Sequence, residues 1–143
     1  MIEIKNSVII HSNKDQVFNY LCDFENFPYW NYSVSKVEKL NKTNNNGYEL
    51  YGIYRNSSGP RYEEGFIKNL KRGERIVFTI NGGWFPYEVE YNLSGKENKI
   101  ELTNLARLYP NLIKYVPLLL AKNQLKRAVG QNLNVLKETL EQA

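Results

Sequence analysis

From Ser33 to Ala106 the chain carries six strand-like segments, most of them alternating apolar and polar residues, separated by five tight-turn signals. Asn44-Asn45-Asn46-Gly47 is the strongest of these signals, because Asn-Gly favours a hairpin turn with positive φ at both central residues. Ser57 to Pro60, Arg72-Gly73, Asn81 to Gly83 and Ser94 to Asn98 supply the others. Ile76, Phe78 and Ile80 share one strand face. Phe85, Tyr87, Val89, Tyr91 and Leu93 share a face of the next strand, with Glu88 and Glu90 opposite. Ile100, Leu102, Asn104 and Ala106 share a face of the last. Alternation of this kind describes antiparallel strands with one face buried and one in water. Strands joined in succession by turns this short make a meander.

The flanks read differently. Ile2 to His11 alternates as a further strand. Ser12 reads as an N-cap with Asp15 at the capping-box spacing, opening a helix to about Leu21 with Val17, Phe18 and Leu21 as its apolar stripe. Asp23 reads as a second N-cap, for a short helix through Phe24 and Phe27 that Pro28 ends or bends. From about Pro110 to Glu141 the spacing is helical: Leu112, Val116, Leu119 or Leu120, Val129, Leu133, Leu136 and Leu140 fall mostly three or four apart. Pro117 should kink or restart this helix, and Gly130 weakens it by roughly 1 kcal/mol relative to alanine. Neither the sheet nor the helix buries its apolar face alone. The expected α+β architecture is a curved antiparallel sheet of about seven strands wrapped around a long C-terminal helix, with two short helices between the first two strands.

A chain of 143 residues suits a single domain, residues 1–143, with a core large enough to need no staples. Its one cysteine, Cys22, excludes an intramolecular disulfide and fits a reducing compartment. No leader pattern precedes the first strand, so a cytoplasmic location is expected. The apolar run Val116 to Ala121 is too short to span a bilayer. The net charge of +4 comes from scattered cations, loosely clustered at Lys68, Lys71, Arg72 and Arg75 and at Lys122, Lys126 and Arg127. They read as solvated surface, or as a site for RNA, ribosome or another anionic surface. Eleven tyrosines offer apolar bodies with polar tips, suited to lining a pocket.

The opening from Val8 through His11-Ser12, Val17-Phe18, Asp23-Phe24 and Phe27-Pro28-Tyr29-Trp30 resembles the polyketide cyclase/dehydrase and lipid-transport group of the START-related (SRPBCC) superfamily. The final helix, with Leu133, Leu136 and Lys137 leading to Leu140 and Glu141, fits as well. The resemblance covers the whole order of elements and implies a helix-grip fold. It also implies an apolar pocket between sheet and final helix, with Trp30 near its mouth and Leu112, Val116, Leu119 and Leu120 facing it. Fold alone does not choose among the superfamily's activities.

His11 is the only histidine, so any catalytic triad would have to use it. It is a weak catalytic candidate beside Glu64. Glu64 shares a strand face with Tyr62, Phe66 and Leu70, and if that face is inward its carboxylate either pairs with Arg55 or Arg61 or has a raised pKa. Asn104, between Leu102 and Ala106, would offer an inward amide to a ligand. Trp30, Trp84, Phe85 and Tyr87 read as core or as pocket lining. Tyr48 to Arg55 is apolar on both faces, so neither is marked as inward. The expected ligand site comprises Phe27 and Trp30, the strand residues Tyr62, Glu64, Phe66, Phe78, Tyr87, Tyr91 and Asn104, and the four helix residues named above. No metal site or cofactor is expected: the histidine and cysteine needed for ligands are too few, and Gly82-Gly83 leads into a strand rather than a helix.

These readings favour binding of a small hydrophobic molecule such as a lipid, quinone, polyketide or isoprenoid. A cyclase or dehydratase is the alternative, and a ribosome-, RNA- or protein-binding module a third. The sequence does not address oligomeric state.

Overall fold

The chain opens with β1 (Ile2–Ile10), whose alternating side chains put Ile2, Ile4 and Ile10 in the interior. The computed structural model describes residues 1–56, 61–81 and 83–142. Helix α1 (Lys14–Cys22) follows, then a 3₁₀ helix at Phe24–Tyr29. The N-cap of α1 is Asn13, not the expected Ser12: its side chain accepts from the Gln16 N–H at 2.7 Å, while the Ser12 hydroxyl donates to the Gln16 amide oxygen. Both residues are good caps, and the chain starts the helix one position later. Asp23 caps the 3₁₀ helix as expected, accepting from Glu25 N–H.

Six strands then run in succession: β2 (Val34–Thr43), β3 (Glu49–Arg55), β4 (Tyr62–Lys71), β5 (Arg75–Asn81), β6 (Tyr87–Lys96) and β7 (Lys99–Leu108). Together with β1 they form one antiparallel sheet in the order β1-β7-β6-β5-β4-β3-β2. The expected turns at Ser57 to Pro60 and at Gly82 lie outside the described residues. The turn at Asn44–Gly47 differs from expectation. Only Gly47 takes positive φ, at 86°, and the Asn44 side chain accepts from the N–H groups of Asn46 and Tyr48. That side-chain cap stabilises an αR-type turn closed by glycine, in place of the mirror-image turn.

The strand faces of β5, β6 and β7 are as read for Ile76, Phe78, Ile80, Tyr91, Leu93, Ile100, Leu102, Asn104 and Ala106, all buried, whereas Phe85 precedes β6 and is not part of its face. On β4 the expected face is wrong. Glu63, Gly65 and Ile67 pair with inward Ile53, Ile80 and Phe78, so Tyr62, Glu64 and Phe66 stand outside. Their rings pack across the outer surface, Tyr62 on Tyr54 and Phe66 on Tyr48. A bulge between Ile67 and Asn69 then shifts the parity and brings Leu70 opposite Ile76. Tyr62, Phe66 and Leu70 therefore do not share a face, although their spacing in sequence says they do.

The C-terminal segment is two helices, α2 (Leu112–Leu120) and α3 (Lys122–Glu141), broken at Ala121. Pro117 lies inside α2 without ending it. Leu133, Leu136 and Leu140 of α3 are buried among Phe18, Phe24, Phe78 and the inner strand faces. Each such leucine contributes about 1.5–3 kcal/mol by leaving water. The far end of α3 is clasped to β1. The His11 N–H donates to Glu141 at 2.8 Å, and the Lys137 ammonium donates to the Ile9 carbonyl and to Glu141, both at 2.6 Å. The resulting helix-grip fold leaves the first half of α3 standing away from the sheet, and the space beneath it is the site.

Candidate functional site

A cavity of about 380 Å³ lies between the inner sheet face, the 3₁₀ helix and the α2–α3 junction. Most of its wall is apolar: Ile4, Phe24, Phe27, Val34, Ile53, Ile80, Phe85, Val89, Ala106, Leu108, Leu118, Leu125 and Val129. Phe27 and Trp30 enter because the Asp23-capped turn folds their rings against each other, with centroids 4.8 Å apart. Trp84 lines the cavity yet is 57 % exposed, which places it at the opening.

One wall is polar. Arg55 and Glu63 project inward from neighbouring strands, two residues apart along the ladder from the Ile53–Glu63 pair. Arg55 Nε donates to Glu63 Oε1 at 2.5 Å, Nη1 donates to Ser33 Oγ at 3.0 Å, and Nη2 donates to the Tyr87 hydroxyl. Tyr87 in turn donates to the same Glu63 oxygen at 3.1 Å. Glu63 is 3 % exposed, so this is a carboxylate out of water whose charge is balanced on the spot. Burial opposes the Arg55 cation, but Tyr87 and Glu63 outweigh it and hold the guanidinium above its ordinary pKa. Burial pushes the Tyr87 hydroxyl far above its ordinary 10.0; Arg55 opposes that rise and Glu63 adds to it. Each guanidinium Nη keeps a second N–H beyond the one it uses.

A second polar chain crosses from the sheet side to α3. The Ser33 hydroxyl donates to Asn31 Oδ1 at 2.8 Å, and the Asn132 amide donates to the same oxygen at 3.2 Å. Deeper in, burial raises the Tyr91 hydroxyl well above 10.0 while the Asn104 amide partly offsets it. Trp30 Nε1, Asn104 Oδ1 and Asn132 Oδ1 are buried lining-residue atoms with no partner among the described residues.

Of the residues expected at the site, Phe27, Trp30, Tyr87, Tyr91 and Asn104 line the cavity, as do Trp84 and Phe85. Phe78 lies beneath it, fully buried and in edge contact with Phe24, Phe27 and Tyr91. Tyr62, Glu64 and Phe66 are on the outer face, where the Tyr62 hydroxyl donates to Glu64 at 3.2 Å. Leu112, Val116, Leu119 and Leu120 face solvent instead of the cavity. Leu118, two helical turns before Leu125, is the residue of α2 that turns inward. His11 lies at the clasped end of α3 and does not line the cavity. Burial, then Asp23, pushes the Cys22 thiol up, and its Sγ donates to the Asn19 carbonyl, as a packed thiol does.

Sequence reasoning missed Glu63, Asn31, Ser33 and Asn132 and gave Arg55 the wrong partner. The available signal was the diagonal placement of Arg55 and Glu63 across one hairpin, which is usable only once its register is known. Among the described residues, no cluster of three or more histidine, cysteine or acidic groups is placed to hold a metal. Among the described residues, no helix is long and apolar enough to cross a membrane. On the outer face, Arg107 pairs with Glu3, Glu88 and Glu90, Arg75 with Glu90 and Lys68 with Glu88. Cations there alternate with acids and form no continuous basic patch among the described residues.

A family model described as polyketide cyclase / dehydrase and lipid transport matches residues 1–141. A search of the curated proteins finds no match. Solved structures show the same fold at low identity. The protein XoxI from Bacillus cereus is 15 % identical with a TM-score of 0.73, the match covering 98 % of this chain and 96 % of that one. A START superfamily protein from Mycobacterium smegmatis is 16 % identical with a TM-score of 0.70, covering 98 % and 94 %. The di-domain ARO/CYC BexL from the BE-7585A biosynthetic pathway is 14 % identical with a TM-score of 0.79, covering 99 % of this chain and 47 % of that one.

Proposed function

The chain belongs to the polyketide cyclase/dehydrase and lipid transport family, and from that premise we propose that it binds a small, mostly apolar molecule carrying a neutral oxygen function. One observation carries the reading: a mostly apolar cavity holds a few placed polar groups, the Arg55–Glu63–Tyr87 cluster first among them, with Asn31, Ser33, Asn104 and Asn132. Apolar walls supply affinity, and a few placed polar groups fix orientation. The spare Nη hydrogens suit an acceptor such as a ketone, quinone or phenol oxygen. A ligand carboxylate is disfavoured, because Glu63 already neutralises Arg55 and would repel a second anion.

The cyclase or dehydratase reading draws on the same wall. Glu63 is the one carboxylate among the lining residues, and Tyr87 is an adjacent hydroxyl. Glu64 and His11, the candidates named from sequence, stand away from the cavity, so any acid–base step would fall to Glu63 and Tyr87. Glu63 Oε1 already accepts from Arg55 and Tyr87, which suits holding the wall together more than exchanging a proton.

Titration with a naphthoquinone, a hydroxynaphthalene and palmitate, followed through the fluorescence of Trp30 and Trp84, tests the proposal. Saturable quenching by the neutral oxygenated rings, with palmitate weaker by about tenfold or more, is the expected result. Palmitate binding as tightly as the rings, or no saturable change with any of them, overturns it.

A further inference from the structure

Helix α2 buries no side chain fully, and Leu118 is the one apolar residue that it turns inward. Leu112, Ile113 and Leu120 are 94 %, 85 % and 81 % exposed, and Val116 and Leu119 stand in water as well. Single exposed leucines are ordinary, but a contiguous apolar patch marks a surface that something covers. Exposed aromatic rings adjoin it. The Lys114 ammonium donates to the Trp84 carbonyl and ties the loop of exposed Trp84 to α2, and Tyr109 and Tyr115 are exposed beside it in the chain. Tryptophan and tyrosine are the side chains that settle at a membrane–water boundary.

Charge identifies what covers the patch. Between Glu101 and Glu138 the chain has no acidic residue. Lys122, Lys126 and Arg127 follow α2 directly, and none makes an ion pair among the described residues. Lys122 occupies the first turn of α3, where the helix dipole favours acids over cations, so its charge does not serve the helix.

We infer that α2, with the cations that follow it, is a docking surface for an anionic phospholipid bilayer. Apolar side chains of α2 enter the acyl boundary while Lys122, Lys126 and Arg127 meet the headgroups. A second copy of this chain is a poorer occupant, because a two-fold interface here would set each copy's cations against their counterparts. With α2 on the membrane, Trp84 and the cavity opening face lipid. Delivery of a ligand through that opening rests on the proposed binding function, whereas docking itself does not.

Co-sedimentation of ligand-free protein with vesicles separates the two. The protein is expected to pellet with vesicles of phosphatidylcholine and phosphatidylglycerol, to be released by salt, and to stay in solution with phosphatidylcholine alone. Leu112→Ser/Ile113→Ser/Leu120→Ser and Lys126→Ala/Arg127→Ala should each lower partitioning about tenfold, with thermal unfolding and quinone titration unchanged because these side chains are outside the core and cavity. Wild-type protein remaining in the supernatant with anionic vesicles overturns the inference, as do variants that pellet like wild type. A concentration-dependent dimer that the triple serine variant abolishes, without vesicle binding, assigns the face to self-association instead. Vesicle binding without quinone binding leaves the docking surface standing and removes the ligand proposal alone.

Discussion

Glu63 Oε1 serves two donors at once, and removing its charge leaves the Arg55 cation uncompensated in the interior. Glu63→Gln is expected to destabilise the fold by about 3 kcal/mol in urea unfolding, the low end for breaking a buried pair, because the Arg55 side chain keeps 21 % of its exposure. Glu64→Gln, on the outer face, should change stability by less than about 0.5 kcal/mol. Alkali probes Tyr91. Burial, partly offset by Asn104, raises its pKa above 10.0, so the folded chain holds the phenol proton that the unfolded chain releases. That contribution is fully present below pH 10.0 and is lost as pH rises towards the folded value. The urea midpoint of the wild type should therefore fall between about pH 8 and about pH 11, and that of Tyr91→Phe should fall less steeply. At this scale the sequence was half legible. Trp30, Tyr87, Tyr91 and Asn104 stand out because each interrupts or enlarges an apolar series. Nothing marks Glu63 above Glu64 in Tyr62-Glu63-Glu64-Gly65, where a slip of one residue exchanges the faces.

Elements were legible wherever the ladder runs unbroken. β6 and β7 pair without a shift from Tyr87–Leu108 to Lys96–Lys99, and their inward residues follow from alternation alone. β4 carries a bulge between Ile67 and Asn69, which alternation does not encode. The helical pair failed for a different reason: Leu118, Leu125, Val129 and Leu136 keep one inward phase across Ala121, but α2 is apolar on nearly all sides, so Leu112, Val116, Leu119 and Leu120 were chosen from its exposed sides. The β6–β7 hairpin has its own weak point. Gly95 has φ of 121°, and a Cβ there would lie 2.3 Å from the Lys99 carbonyl oxygen. Backbone cannot retreat as a side chain can. Gly95→Ala is expected to lower stability by about 2–3 kcal/mol, measured by thermal or urea unfolding. Gly73→Ala is also strained by its φ of 79° but meets nothing within 4 Å, and should cost about 1 kcal/mol.

Across the whole molecule, the sheet and α3 enclose core at one end and cavity at the other. Leu133, Leu136 and Leu140 fill the first, whereas Leu125, Ala128 and Val129 border the second. That general plan was legible, because a meander and a long amphipathic helix have few ways to cover each other. The cavity's polar wall was not, since it is assembled by side chains from β3, β4 and β6 that no local pattern connects. The clasp of His11, Lys137, Glu141 and Ile9 fastens the C-terminal end of α3 and Asn132 ties its middle to Asn31, whereas the N-terminal half makes no side-chain hydrogen bond among the described residues. A beam clamped at one end is a cantilever: its deflection grows with distance from the clamp. Amide hydrogen exchange should therefore be slowest around Leu136 and accelerate towards Leu125, and Glu141→Ala should spread the fast exchange along the helix. Where the helix is fastened thus decides which wall of the cavity yields first, and under the proposed binding function that wall is the aperture a guest would pass.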